Sequence, residues 1–225
     1  MSRNLMVMGA LGAVAVILHA APLGAGAAPP KCFGRTATII GTTAGDDIDG
    51  TSRADVIVGR GGKDSISGNG GRDWICGGAA SDIVLGGDGR DHIDGGKGRD
   101  YLDGGGGQDI VGGGPGRDKP FGDTDVNAGV FGGGGDDTLS GGKGNDLMDG
   151  GKGDDIVDAG TGHDVAGGNE GSDFIAGRLG DDKVFGGDGD DDLDGGRGVD
   201  RLRGGRGTDS CVRGERHFSC ETDPG

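Results

Sequence analysis

An aspartate recurs every nine residues through most of this 225-residue chain, and this period limits the possible folds more than any other feature. Each aspartate stands at position six of the frame G-G-x-G-x-D-x-U-x, where U is a large apolar residue. The frame runs through 19 units from Gly41 to Val212. A short fixed period held over such a length predicts a solenoid, in which each repeat packs on its neighbours.

Position six is aspartate in every unit except one. Before the exception it is filled by Asp46, Asp55, Asp64, Asp73, Asp82, Asp91, Asp100, Asp109 and Asp118. The exception is a ten-residue unit, Gly122 to Phe131, in which we place Asn127 in the slot. The frame then resumes with Asp137, Asp146, Asp155, Asp164, Asp173, Asp182, Asp191, Asp200 and Asp209.

Each unit divides into a glycine-rich loop and a short alternating segment, as in Gly95 to Asp103. Glycine adopts positive φ without steric cost, so the loop can turn tightly. The alternation after the aspartate predicts a strand that sends its U residue to one face. Two units would form one turn of a flattened coil, which makes the chain an all-β protein: a parallel β-roll, or β-solenoid, of nonapeptide repeats. The U residues expected to form its thin core are Ile48, Ile57, Ile66, Ile75, Val84, Ile93, Leu102, Val111, Leu139, Met148, Val157, Ile175, Val184, Leu193 and Leu202.

The composition shows that apolar burial alone cannot order this chain. Glycine accounts for 60 residues, only 31% of residues are hydrophobic, and the formal net charge is −16. Low hydrophobicity with high net charge is typical of disordered chains, yet the residue order is strictly periodic. A bound cation would cancel the charge and supply ordering free energy. The acidity also argues against nucleic acid, whose binders present clustered basic residues.

The repeat resembles the RTX, or haemolysin-type, calcium-binding repeat, and the layout of the chain is similar to that of small secreted actinobacterial members. The resemblance implies several Ca²⁺ ions, each held between adjacent loops on the same edge of the roll. It also implies that the position-six carboxylate and loop carbonyls around positions one to four supply the oxygens. The metal ligands expected on this basis are Asp64, Asp73, Asp82, Asp91, Asp100, Asp109, Asp118, Asp137, Asp146, Asp155, Asp164, Asp173, Asp182, Asp191, Asp200 and Asp209.

Some early units depart from the frame. Units 41–49 and 50–58 have Ala44 and Arg53 in place of the glycine at position four, and unit 77–85 has Ala80 there. We expect weak or empty calcium sites in these three units.

The ends of the chain differ from the repeats. Residues 1–27 combine Arg3, an apolar stretch and a small-x-small motif, which predicts a cleaved signal peptide and secretion; an uncleaved anchor is the alternative. We expect caps at 28–40 and 213–225, with Phe33, Ile39, Ile40 and Phe218 as their apolar plugs. Four cysteines allow three pairings, of which we prefer Cys32–Cys76 and Cys211–Cys220, one at each end.

The segment 118–131 interrupts the period. Pro120 occupies a U slot without a backbone donor, and the ten-residue unit follows it. We expect a hinge or bulge here, between a first β-roll segment at 41–117 and a second at 132–212.

The sequence favours a non-enzymatic function. It has no H-E-x-x-H motif, and the pairs Gly142-Lys143 and Gly151-Lys152 lack the Ser or Thr of a phosphate loop. The leading hypothesis is a secreted calcium-binding protein that folds on binding the ion and has no membrane span after signal cleavage. The alternative is an extracellular structural, adhesion or interaction module in which calcium is only a staple, with cell-surface or extracellular ligands as partners.

Overall fold

The protein is described here by a computed structural model covering residues 28–123 and 128–212, with strand backbone at 222–223. The described residues form strands joined by turns, and none of them lies in a helix. The predicted signal peptide lies outside the described residues, as does most of the predicted C-terminal cap, including Phe218 and Cys220. Within the described residues, no helix has the length and apolar character needed to cross a membrane.

From β3 onwards the strands follow one another in pairs, one pair to each turn of the roll, with β7 as a short extra strand. In chain order they are β1 (Lys31–Cys32), β2 (Arg35–Thr36), β3 (Ile39–Ile40), β4 (Asp47–Asp49), β5 (Val56–Val58), β6 (Ser65–Ser67), β7 (Gly70–Gly71), β8 (Trp74–Ala79), β9 (Ile83–Gly89), β10 (His92–Lys97), β11 (Tyr101–Gly106), β12 (Ile110–Pro115), β13 (Lys119–Asp123), β14 (Gly129–Gly134), β15 (Thr138–Gly142), β16 (Leu147–Lys152), β17 (Ile156–Asp158), β18 (Val165–Glu170), β19 (Phe174–Ala176), β20 (Lys183–Asp188), β21 (Asp192–Asp194), β22 (Arg201–Arg206), β23 (Ser210–Val212) and β24 (Thr222–Asp223).

Two parallel sheets form the roll, as the sequence predicts. One has the order β24-β22-β20-β18-β16-β14-β12-β10-β8-β5-β3, and the other has the order β23-β21-β19-β17-β15-β13-β11-β9-β6-β4. Apart from the hairpin strands β1 and β2 and the short β7, successive strands therefore alternate between the sheets, and each pairs with the strand one turn away. Residues i and i+18 are register partners, as His92 is with Trp74, which confirms two nine-residue units per turn.

The ten-residue unit shifts the register by one residue without interrupting either sheet. Ile110 pairs with Gly129 and Phe121 with Ser140, an offset of 19. The offset then returns to 18, because Gly129 pairs with Leu147.

The same register corrects the assignment of the position-six slot in this unit. Ala128, not Asn127, precedes the strand in the way that the aspartates do elsewhere, and its N–H donates to Asp146 Oδ1 at 2.7 Å. Placing Asn127 in the slot was therefore wrong by one residue. The inserted residue lies before position six rather than after it, and Asn127 itself is outside the described residues.

The core consists of the U residues from both sheets, and every one of the fifteen predicted is buried. Val130 and Ala166 fill two further U positions. The buried apolar side chains form two clusters, one from Ile48 to Val111 and one from Ala128 to Leu202. Pro120 lies buried between them. The two clusters support a division of the core near 118–131, but strand pairing is continuous there, and the two-segment division stays a prediction.

The segment predicted to form the N-terminal cap contains a short antiparallel hairpin of β1 and β2. Cys32 is buried and joined to Cys76 by a disulfide, with a Cα–Cα distance of 5.7 Å, as preferred from the sequence. Ile39 packs against the first apolar cluster. Phe33 does not act as a plug: 49% of it is exposed, and its ring packs edge-on against His92 on the outer face. Cys211 is also disulfide-bonded.

Candidate metal centre

Two stacks of aspartates run along the two edges of the roll, where the loops join one sheet to the other. Edge 1 carries Asp46, Asp64, Asp82, Asp100, Asp118, Asp137, Asp155, Asp173, Asp191 and Asp209. Edge 2 carries Asp55, Asp73, Asp91, Asp109, Ala128, Asp146, Asp164, Asp182 and Asp200. Of the sixteen predicted ligands, Asp209 is partly exposed and all the others are buried, none more than 3% exposed. Fifteen carboxylates withdrawn from water in a small protein need a physical explanation.

One oxygen of each buried carboxylate is held by the preceding turn. The N–H of Asp82 donates to Asp100 Oδ1 at 2.8 Å, and the N–H of Asp155 donates to Asp173 Oδ1 at 2.8 Å. The same bond recurs along edge 1 from Asp46 to Asp209, so that each turn completes the backbone hydrogen bonding of the turn before it. This bond fixes the direction in which each carboxylate points.

The second oxygen, Oδ2, is buried and accepts no hydrogen bond. This holds for Asp64, Asp73, Asp82, Asp91, Asp100, Asp118, Asp137, Asp155, Asp164, Asp173, Asp182, Asp191, Asp200 and Asp209. A buried acceptor without a partner costs roughly 1–3 kcal/mol, and more when it is charged. Repeated at every turn, this arrangement is untenable unless each oxygen meets a proton or a cation.

The pKa values of these carboxyls express the same conflict. Burial raises the pKa of Asp118 and Asp155 to about 7, and the carboxylates one turn away on either side raise it further. Burial likewise raises the pKa of Asp73 and Asp182 to about 6. The hydrogen bond from the preceding turn opposes these shifts without cancelling them. The buried carboxylates of both stacks are therefore stabilised by binding a proton or a cation.

Glycine at position one, which every unit has except the one that begins at Ala159, keeps the space in front of Oδ2 open. A Cβ placed on Gly95 would lie 2.7 Å from Asp100 Oδ2 and 2.7 Å from the carbonyl oxygen of Gly113, one turn on. A side chain there would fill the region into which both oxygens project. The repeated glycine therefore brings a carboxylate and a backbone carbonyl from neighbouring turns together.

The first two units satisfy their carboxylates in another way. Thr42 donates to Asp46 Oδ2 through its N–H at 2.6 Å and through its hydroxyl at 2.9 Å. Thr51 does the same for Asp55 Oδ2, at 2.7 and 2.8 Å. These bonds support the prediction of weak or empty sites in the first two units. The reason differs from the one offered by the sequence, which was the missing glycine at position four; the informative residue is the threonine at position two.

The third departure, Ala80, leaves the loop geometry unchanged. Ala80 adopts φ +82°, the left-handed conformation used elsewhere by glycine at position four. Asp82 remains 1% exposed and is bonded like the other stacked aspartates. A weak site in unit 77–85 stays a prediction.

The donor set matches a hard cation. Among the described residues, no three His, Cys, Asp or Glu side chains come together as a metal-binding group. Backbone carbonyls lie close to the carboxylate oxygens, as that of Gly113 does to Asp100 Oδ2. Calcium accepts six to eight oxygens, carbonyls among them, in flexible geometry. Zinc prefers His and Cys, and the described cysteines are in disulfides. The residues present fit Ca²⁺.

Comparison with known proteins agrees with this chemistry. The chain matches the family model of the RTX calcium-binding nonapeptide repeat (4 copies) over residues 49–84, 85–120, 131–166, 167–202 and 185–214. These ranges cover more than half of the chain, and the protein therefore belongs to the RTX calcium-binding repeat family. It is a calcium-binding repeat protein with a β-roll fold. No curated protein is similar enough to count as a match.

Proposed function

We propose that this protein is secreted, binds several Ca²⁺ ions along the two edges of the roll, and folds on binding them. The observation that carries the proposal is the row of buried Oδ2 atoms without hydrogen-bond donors. The proposed ligands are the sixteen position-six aspartates from Asp64 to Asp209, with loop carbonyls completing each shell.

The chain's own residues prepare these sites. The N–H of the preceding turn holds Oδ1 and so turns Oδ2 towards the neighbouring loop. Glycines at positions two and four let adjacent turns approach closely, as where the left-handed Gly151 and Gly153 lie against the backbone of Gly133 and Gly135. A bound divalent ion supplies the positive charge that the buried carboxylates lack, and its binding free energy becomes folding free energy.

Calcium titration of residues 28–225 tests the proposal. Above about pH 7 we expect little β-structure by circular dichroism in EGTA, a cooperative gain on adding Ca²⁺, and several ions bound per chain by calorimetry. Mg²⁺ at equal concentration should induce much less structure, because it demands a tight octahedron and keeps its waters. A chain that stays equally β-rich after exhaustive chelation would contradict folding on binding.

Extracellular calcium is the natural source of the ion, which supports the secreted location that the leader at 1–27 suggests.

The second candidate is an extracellular structural or adhesion module in which calcium is only a staple. The apolar and aromatic side chains on the outer face, such as Ile83, Tyr101 and Phe174, favour it as a contact surface. Capture of the calcium-loaded protein on cell walls, compared with and without chelator, distinguishes this role from ion binding alone. We propose no catalytic role.

A further inference from the structure

The side chains at position five give edge 1 a charge pattern that calcium binding does not require. In the first five units of edge 1, the residues at position five form a column of Gly45, Lys63, Ser81, Arg99 and Arg117. In the last five units this column continues with Asp136, Asp154, Ser172, Asp190 and Thr208. One half of this column is therefore basic and the other half is acidic, although the chain as a whole is strongly acidic.

The acidic half is held rigidly. The N–H of Ser172 donates to Asp154 Oδ1 at 2.8 Å, and the N–H of Thr208 donates to Asp190 Oδ1 at 2.8 Å. The N–H of Asp154 donates to Asp136 Oδ1 in the same way, at 3.2 Å. All three aspartates are exposed, so each is anchored through one oxygen and presents the other to solvent.

In the basic half, the N–H of Arg99 donates to Ser81 Oγ at 3.2 Å, but the charged groups themselves are not paired. Lys63, Arg99 and Arg117 are exposed, and within the described residues none of them forms an ion pair. A groove along this half of the edge is lined by Lys63, Ser81 and Arg99 together with the acidic Asp46, Asp47, Asp64 and Asp82. Lys63 and Arg99 lie at this groove, and with Arg117 they make position five of this half basic and suited to acidic side chains on a partner.

The two halves are related turn by turn about the middle of the edge. The stack of aspartates on edge 1 is continuous across the middle, where the N–H of Asp118 donates to Asp137 Oδ1, and five turns lie on each side. Counting outwards from this point matches Arg117 with Asp136, Arg99 with Asp154, Ser81 with Ser172, and Lys63 with Asp190. Every base meets an acid, and the neutral serines meet each other.

We propose that edge 1 is a self-association surface, on which two copies of this chain pair antiparallel about a two-fold axis between Arg117 and Asp136. A two-fold interface requires a self-complementary surface, and this column is one. The turn spacing, roughly 4.8 Å between stacked strands, is common to both copies, so the matches stay in step along the edge. The proposed partner of edge 1 is therefore a second copy of this chain, which the repeat alone does not imply.

Neighbouring columns lack this pattern. At position three of edge 1 the acidic residues are paired within the chain, Glu170 with Lys152 at 2.8 Å and Asp188 with Arg206 at 3.6 Å. On edge 2 the equivalent matches are Gln108 with Asn145, Arg90 with His163, Arg72 with Asp181 and Ala54 with Val199, of which only one joins a base to an acid. The complementarity is specific to position five of edge 1.

The dimer is expected to be weak and sensitive to salt. Exposed ion pairs contribute roughly 0–1 kcal/mol each, and salt screens them. The net charge of −16 per copy opposes association until calcium is bound. Self-association should therefore need both Ca²⁺ and low to moderate ionic strength.

Sedimentation velocity on the calcium-loaded chain, with and without matched charge reversals, tests the surface. R99E/R117E replaces attraction with repulsion on edge 1 and should weaken self-association at least about tenfold. R72E/R90E makes the same change in net charge on edge 2 and should have little effect. Equal losses in the two variants, or a calcium-loaded chain that remains monomeric at every concentration and salt, would overturn the proposal.

Disulfide trapping tests the antiparallel register. Calcium-loaded S81C and S172C should crosslink when mixed, because the two positions meet across the axis, whereas neither variant alone should form a covalent dimer. Crosslinking of S81C alone as efficiently as the mixture would exclude this register. Circular dichroism of each variant in Ca²⁺ distinguishes a lost dimer from a lost fold, and hence from a failure of calcium-driven folding itself.

Discussion

At the scale of single residues, the position-six aspartate has two separate tasks. Its Oδ1 accepts the N–H of the preceding turn, as Asp155 Oδ1 does from Asp137 at 2.8 Å. Its Oδ2 is left for a cation. The first task belongs to the fold and the second to the ion, so a substitution can separate them.

Asp155→Asn is expected to shift stability in opposite directions with and without calcium. The amide oxygen of asparagine can still accept the N–H of Asp137, while the buried negative charge is removed. In EGTA the variant should therefore be more stable than the parent; in Ca²⁺ it should be less stable and bind fewer ions. Circular dichroism in EGTA, together with thermal unfolding and calorimetric stoichiometry in Ca²⁺, measures this.

Asp46→Asn is the matched control, because Thr42 already satisfies Asp46 Oδ2. Its calcium stoichiometry should equal that of the parent. A loss of ions as large as that of Asp155→Asn would show that the first unit carries a full site.

At the scale of the repeat unit, loop geometry depends on particular glycines rather than on glycine content. Gly135 adopts φ +119°, and a Cβ there would lie 2.5 Å from the carbonyl carbon of Gly116 in the preceding turn. Its neighbour Gly134 has nothing within 4 Å of an added Cβ. The two adjacent positions therefore differ sharply in what they tolerate.

Gly135→Ala should destabilise the calcium-loaded roll by roughly 1–3 kcal/mol, because it combines a left-handed alanine with a backbone clash. Gly134→Ala should be nearly neutral. Urea unfolding in excess Ca²⁺ gives both values. Similar midpoints for the two variants would mean that neighbouring turns are not as closely packed as described.

The sequence predicts the repeating parts of this unit well and the exceptions poorly. The strands, the core of U residues and the stacking of turns all follow from the nine-residue period, because every unit must fit the same place in the coil as the others. The bond from one aspartate N–H to the carboxylate 18 residues later was not foreseen, because the pattern does not reveal side-chain direction. Asn127 and Ala128 are equally plausible in the slot until strand pairing decides, and Phe33 looked apolar enough to be a plug although the hairpin turns it outwards.

At the scale of the whole molecule, protons and calcium compete for the same carboxyls. Burial raises the pKa of Asp118 and Asp155 to about 7, and of Asp137, Asp164 and Asp191 to about 6. The unfolded values lie near about 4. Since the folded pKa values are higher, the folded metal-free chain binds more protons than the unfolded chain.

The metal-free chain should therefore be most structured in acid. Protonation stabilises the roll fully below about pH 4, and this stabilisation is lost as the pH rises through about 6 to 7. In buffer freed of calcium beforehand we expect the β-signal by circular dichroism to fall across that window, whereas in saturating Ca²⁺ it should persist. The apparent calcium affinity should rise over the same range, and a metal-free signal that increases with pH would contradict the assignment of these pKa shifts.

The pairing of residue i with residue i+18 also determines how such a gene can change in length. Each coil touches only the coils above and below it, so duplicating or losing 18 codons adds or removes one complete coil and leaves all the others undisturbed. A change of nine codons would instead move every later segment to the opposite sheet. We therefore expect this gene to have gained or lost repeats two units at a time in evolution, so that edge 1 and edge 2 lengthened together.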